Sequence, residues 1–271
     1  MEDSSVAVSV PLDALLERDE VNRPQPLRFS ERTKNVLPDK SNILQMCIND
    51  VEEFAKSNNM QINYSKTKVM KFSRSSSIDF PLEVPFSNKV ILEVIRSTKL
   101  LGVIIDENLK WESNTEYICD RARGKIWLLR PMKISGLTQA QLIDAYTKEV
   151  RSILELAVPV WNAGITLEQT LKLERIQKSA LSAILGHEYV SYENALQVTG
   201  LQRLSTRREK ICIQFVMKNM KSDNPLFKVN PKIYNTRSNP NFVEEFQCRT
   251  AAFFNSSLPY LARLYNKNIN C

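Results

Sequence analysis

The apolar pattern of the chain changes period at Trp111, and that change limits the fold more than any other feature. Upstream, apolar residues come in short runs. Val69, Met70 and Phe72 follow Lys66-Thr67-Lys68, and Leu100 to Ile105 form a β-branched run around Gly102 that ends at Asp106. A run of about six apolar residues between polar ones reads as a buried strand, because a helix normally needs about ten residues or more. Both runs are expected as strands, paired with one another, and Met60 to Asn63 is expected as a further strand. Ahead of them Ile43, Leu44, Met46, Cys47, Val51 and Phe54 recur at helical spacing behind Ser41, whose hydroxyl can cap.

From Trp111 to about residue 222 the spacing is helical. Tyr117, Ile118, Ala122, Ile126 and Leu129 fall on one face of a helix that Pro131 and Gly136 should stop. A second helix starts at Thr138 and turns Leu142, Ala145, Tyr146, Val150, Ile153, Leu154 and Ala157 inward. A third is capped by Thr166 with Gln169 and carries Leu173, Ile176, Ala180 and Ile184 as far as Gly186. A short helix at Tyr192 to Val198 leads to a basic helix opened by Thr206 and Glu209. The fold class is therefore α+β: a small antiparallel sheet with one packed helix, followed by an all-α region. Four segments result: an acidic irregular leader at 1–40, the sheet region at 41–111, the helical region at 112–222, and an irregular tail at 223–271 with one helix from about Leu258 or Tyr260.

Charge follows the same division. Residues 1–55 carry 6 basic and 11 acidic side chains, residues 56–109 carry 8 and 5, residues 110–222 carry 17 and 11, and the rest 6 and 3. A basic body behind an acidic leader favours a polyanionic partner, since Lys and Arg displace condensed counterions from a phosphate backbone. A merely soluble basic protein fits the same balance. The apolar content of 43% in 271 residues suffices for one sizeable core or two modest ones. No run of eighteen apolar residues occurs, and the first residues are acidic, so neither a membrane span nor a signal peptide is expected. An intracellular chain, nuclear or cytoplasmic, is expected instead. The five cysteines are odd in number and scattered, which argues against a disulfide framework and against a zinc site. His187 is the only histidine, so two-histidine iron sites and Ser-His-Asp hydrolysis are unsupported.

Asn63-x-x-Lys66-Thr67-Lys68-x-Met70-x-Phe72, then Lys99-Leu100-Leu101-Gly102-Val103, then Leu109-x-Trp111 resembles the end of the palm of a non-LTR retrotransposon reverse transcriptase of the jockey and chicken-repeat-like type. Arg151-Ser152-x-x-Glu155-Leu156-Ala157-x-Pro159-x-Trp161-Asn162 resembles the segment after that palm. Arg249-x-x-x-Phe253-Phe254-Asn255-x-Ser257-Leu258-Pro259-Tyr260 resembles the terminal motif of the same elements. The likeness runs from about residue 41 to 265. It implies that the first part is a palm remnant, whose two paired strands were the floor of a nucleotide-copying cleft, and that the helical region is thumb-like.

The resemblance also implies site residues. Met1-Glu2-Asp3-Ser4-Ser5 is similar to what remains of a Tyr-x-Asp-Asp motif, with Glu2 and Asp3 in the places of the magnesium-holding aspartates and Asp3 the candidate metal ligand. Lys66 stands where the family's lysine lies by the incoming nucleotide's phosphates and acts as a general acid. The other reading, preferred for the isolated chain, is a solvated lysine ahead of a strand. Gly102 stands at the hairpin supporting the primer end, where a glycine lets backbones approach closely. Arg121, Lys125, Lys172, Arg175, Lys178, Arg207 and Arg208 are the candidate phosphate contacts, reading RNA or an RNA–DNA hybrid by charge and shape, or else a solvated helix face. Polymerase chemistry needs a further metal-binding aspartate and nucleotide-binding elements ahead of residue 1. The expectation is a truncated RNA-directed DNA polymerase, inactive alone and without a cofactor of its own (magnesium in the intact family), or a non-catalytic RNA- or DNA-binding helical module.

Overall fold

A computed structural model describes residues 6–7, 40–72, 83–85, 91–220, 227 and 243–269, with backbone alone at 6–7, 40–44 and 83–85. The chain forms two compact units, one of residues 1–100 and 105–109, the other of 101–104 and 110–271. The class is α+β, as the change of period implies.

The first unit holds β1 (Val6–Ala7), α1 (Lys40–Ser57), β2 (Val69–Lys71), β3 (Glu83–Pro85) and β4 (Ile91–Ile95). The sheet order is β1-β2-β4-β3. β1 runs antiparallel to β2 and β3 antiparallel to β4, while the central pair β2–β4 is parallel, with Val69 opposite Val94 and Met70 opposite Ile95. Consecutive strand residues point to opposite faces, and Val69 and Met70 are both buried, so β2 is covered on both sides, as parallel strands generally are. α1 buries Ile48 and Ala55, seven residues apart and on one face.

Two expected strands take another form. Met60 to Asn63 is not a strand. Asn63 instead organises a turn, its carbonyl accepting from Lys66 N, Thr67 N and Thr67 Oγ1 at 3.1, 3.1 and 2.9 Å, and its side chain from Ser65 Oγ at 2.7 Å. The run Leu100–Ile105 is not one strand either. It is folded into a separate hairpin, β5 (Ser97–Leu100) and β6 (Val103–Asp106), by Leu101 at φ 48° and Gly102 at φ 86°. Two consecutive positive φ angles are what a tight two-residue hairpin turn requires. The expected pairing of the two runs as one floor therefore fails: β2 pairs with β4, and the hairpin forms its own two-stranded sheet.

The second unit is helical: α2 (Glu112–Ile126), α3 (Leu129–Ile134), α4 (Gln139–Ala145), α5 (Ser152–Leu154), α6 (Val158–Trp161), α7 (Leu167–Leu185), α8 (Tyr192–Thr199), α9 (Leu204–Met220), α10 (Ala251–Phe254) and α11 (Ser257–Ile269). Pro131 does not stop a helix but lies in the first turn of α3, where its missing N–H is not needed. Between α4 and α5, residues Tyr146–Arg151 form a π-helical stretch. Leu142, Tyr146, Val150 and Leu154 are all buried at steps of four, which would drift about 40° per step on a 3.6-residue turn; the wider π turn keeps them on one face. α7 lies at the centre, with eight buried residues from Gln169 to Leu185. The tail belongs to this core, since α11 buries Leu261, Ala262 and Tyr265, and its buried Asn266 holds both backbone groups of Val243 at 3.0 and 2.9 Å.

Candidate nucleic-acid interface

α7 begins where sequence places it. Thr166 Oγ1 accepts from Gln169 N at 3.2 Å and Gln169 Oε1 from Thr166 N at 2.8 Å, a reciprocal cap satisfying two backbone donors. Its inward face is apolar but for Gln169 at its start and Gln177, fully buried, which accepts from Tyr146 Oη at 2.7 Å and donates to Tyr192 Oη and to the Gln202 carbonyl at 3.0 and 2.9 Å. Leu171, Arg175, Lys178 and Ser182 stand at i, i+4, i+7 and i+11 and are all exposed, so they form one line along the outer face.

Two clefts follow one another along that face. One, of about 470 Å³, is lined by Leu171, Glu174, Arg175 and Lys178 of α7, by Tyr189 to Glu193, and by Arg203. The other, of about 450 Å³, is lined by Arg130, Lys133 and Ile134 of α3, by Ser179, Ser182 and Ala183 of α7, and by Gly186. Five cations thus face two carboxylates, and both carboxylates are occupied. Glu174 accepts from Tyr192 Oη at 2.5 Å and from Ser205 N at 2.8 Å, while Glu193 pairs with Arg203 at 2.6 Å. Among the described residues Arg130, Arg175 and Lys178 have no ion-pair partner. Lys133 gives one proton to the Ile184 carbonyl at 2.7 Å and keeps two further donors. From Leu171 to Ala183 the face is about 18 Å long, the axial rise of about five phosphates of one strand.

The other expected contacts divide. Arg121 is exposed, its guanidinium 5.6 Å from the Tyr117 ring. Lys125 is held by Glu149 at 3.0 Å, and Lys172 lies between Glu116 and Glu168 at 3.7 and 3.6 Å. Arg207 is engaged by a carboxylate of the protein itself, and Arg208 lies inside the core. Arg207 makes a two-pronged pair with Glu155, at 2.5 and 3.0 Å, which pushes its pKa up. Arg208 is 3% exposed, donates from Nε to Asn162 Oδ1 at 2.8 Å and lies 6.0 Å from the Trp161 ring centre. Its burial pushes the guanidinium pKa down. Around it, burial pushes the Cys212 thiol and the Tyr260 phenol up to about 12. The expected Thr206–Glu209 cap is also replaced: α9 starts earlier, at Leu204, and Glu174 from α7 takes the Ser205 N–H.

Lys66 is exposed in the turn that Asn63 makes. Gly102 sits at the hairpin tip, where an added Cβ would come within 3.0 Å of Leu156 Cδ2. Glu2 and Asp3 lie outside the described residues. Among the described residues no three His, Cys, Asp or Glu side chains are grouped to hold a metal ion. Nor, among them, is any helix long and apolar enough to cross a membrane. Arg130, Lys133 and Arg203 are not sequence candidates for phosphate contact, because only the packing of α3, and of the turn between α8 and α9, beside α7 brings them to its outer face. No protein family, curated protein or solved structure matches the chain.

Proposed function

We propose that the chain is the C-terminal part of a non-LTR retrotransposon reverse transcriptase and acts, as it stands, as a non-catalytic module that holds RNA or an RNA–DNA hybrid on the outer face of α7. The observation that carries the binding reading is the run of cations along two successive clefts, with both nearby carboxylates already bonded. Phosphate oxygens are the partners such a surface takes without regard to sequence. The descent rests on the ordered motifs, and the tight turn at Leu101-Gly102 agrees with a hairpin that meets a strand end. The separation of β2 from that hairpin counts against the palm half of the likeness. Such a role places the chain inside the cell, in nucleus or cytoplasm.

The binding reading predicts a steep response to salt. With about three phosphates neutralised, affinity for an RNA–DNA hybrid falls about fortyfold between about 50 and 200 mM salt. Reversing charge in the double variant Arg175→Glu, Lys178→Glu should lower affinity by about tenfold or more and make the salt slope shallower by about 2. Fluorescence anisotropy on a labelled hybrid measures both. Binding that ignores salt, or a double variant that binds like the parent, removes the interface. For the chemistry, the expected result is no template-dependent extension with magnesium; extension abolished by Asp3→Ala would restore a polymerase.

A further inference from the structure

The cleft beside Tyr189 is more than a row of charges. Its walls include exposed apolar surface, Leu171 at 47% and Val190 at 80% exposure, which a phosphate track alone does not need. Tyr189 lines the same cleft, yet its hydroxyl is shut off from solvent and has no hydrogen-bond partner. With that hydroxyl buried, no polar group of the Tyr189 side chain faces the cleft. In the same cleft the guanidinium of Arg203 lies 5.6 Å from the ring centre of Tyr192, a second flat surface. Arg175 and Lys178 line the cleft beside Glu174 and Glu193 and form no ion pair among the described residues. At about 470 Å³ the space is within the range of small-ligand sites.

Flat aromatic surface, aliphatic walls and cations to one side are the parts of a seat for an unpaired nucleotide, because every base has a π face and every nucleotide a phosphate. A base inside a duplex could not enter, its faces being covered by neighbours. We propose that this cleft takes one unstacked nucleotide of a single strand, the base against Tyr189, Leu171 and Val190 and the phosphate on Arg175 and Lys178. The assignment rests on the nucleic-acid reading above and adds a preference for single-stranded segments.

The test compares a short labelled single strand of deoxyadenylate with the same strand carrying abasic sugars in place of its central bases. Both have the same phosphates, so the electrostatic part cancels. The base-bearing strand should bind about tenfold more tightly. Tyr189→Ala should abolish that preference, whereas Tyr189→Phe should keep it to within about twofold, since the ring survives and the lost hydroxyl makes no bond. Equal affinity for the two strands overturns the seat and leaves the charged face standing. A preference that persists in Tyr189→Ala puts the base elsewhere and also overturns it. If neither strand binds while an RNA–DNA hybrid still does, the seat falls alone; if the hybrid fails to bind as well, the nucleic-acid reading falls with it.

Discussion

Truncating Trp161 to alanine should lower the unfolding free energy by about 3–5 kcal/mol. The indole is fully buried where the chain reverses between α5 and α7. Ala157 takes a left-handed conformation, φ 50°, to open α6, and Trp161 Nε1 donates back to the Leu156 carbonyl at 2.8 Å. Alanine would leave a cavity, strand that carbonyl, and remove the ring beside the buried Arg208. Because a domain is stable by only about 5–15 kcal/mol in total, such a loss is a large part of the whole. Trp161→Phe keeps most of the packing and loses the N–H, so it should cost less, about 1–2 kcal/mol. Urea unfolding followed by far-ultraviolet circular dichroism measures both. A loss under about 1 kcal/mol for Trp161→Ala would mean that the reversal is held by something else.

What could be read from sequence was local. Thr138 and Thr166 cap helices through side chains three residues away, and the buried face of α7 follows from spacing alone. What could not be read depended on distant chain. The Leu100–Ile105 run looks like one strand because its residue types favour strands; the left-handed Leu101, unusual for a side chain with a Cβ, turns it back on itself together with Gly102. Lys125 and Lys172 carry the same charge as Arg175, but carboxylates from other turns or other helices face them. The start of α9 is fixed by Glu174, some thirty residues upstream, and not by the local Thr206. One misreading was avoidable. Leu204, Arg208, Cys212 and Val216 are buried at steps of four, so Arg208 occupies a place in an apolar stripe, and a cation there is a candidate for the interior rather than for a phosphate.

That placement leads to the second large effect. Asn162→Ala should destabilise the chain by about 3–5 kcal/mol, whereas Arg208→Met should be nearly neutral or stabilising. Asn162 accepts from Arg208 Nε and donates to Tyr260 Oη at 3.2 Å, so it ties α9 to α11 from the turn that follows Trp161. Arg208 has little else: Nη2 reaches Thr170 Oγ1 at 3.5 Å, and Nη1 has no partner. Removing the amide strands a buried charge, while removing the charge itself leaves only the neutral Asn162 amide oxygen and Thr170 hydroxyl short of a donor, a far smaller cost than an uncompensated guanidinium. In the Arg208→Met background the cost of Asn162→Ala should therefore shrink to about 1 kcal/mol, a coupling of about 2 kcal/mol or more between the two. Urea unfolding of the four proteins closes the cycle. If Asn162→Ala costs the same with and without the guanidinium, the amide is not what compensates it. Arg208→Met should also leave affinity for an RNA–DNA hybrid within about twofold of the parent, in contrast to the reversal at Arg175 and Lys178, because a side chain inside the core has no phosphate to lose.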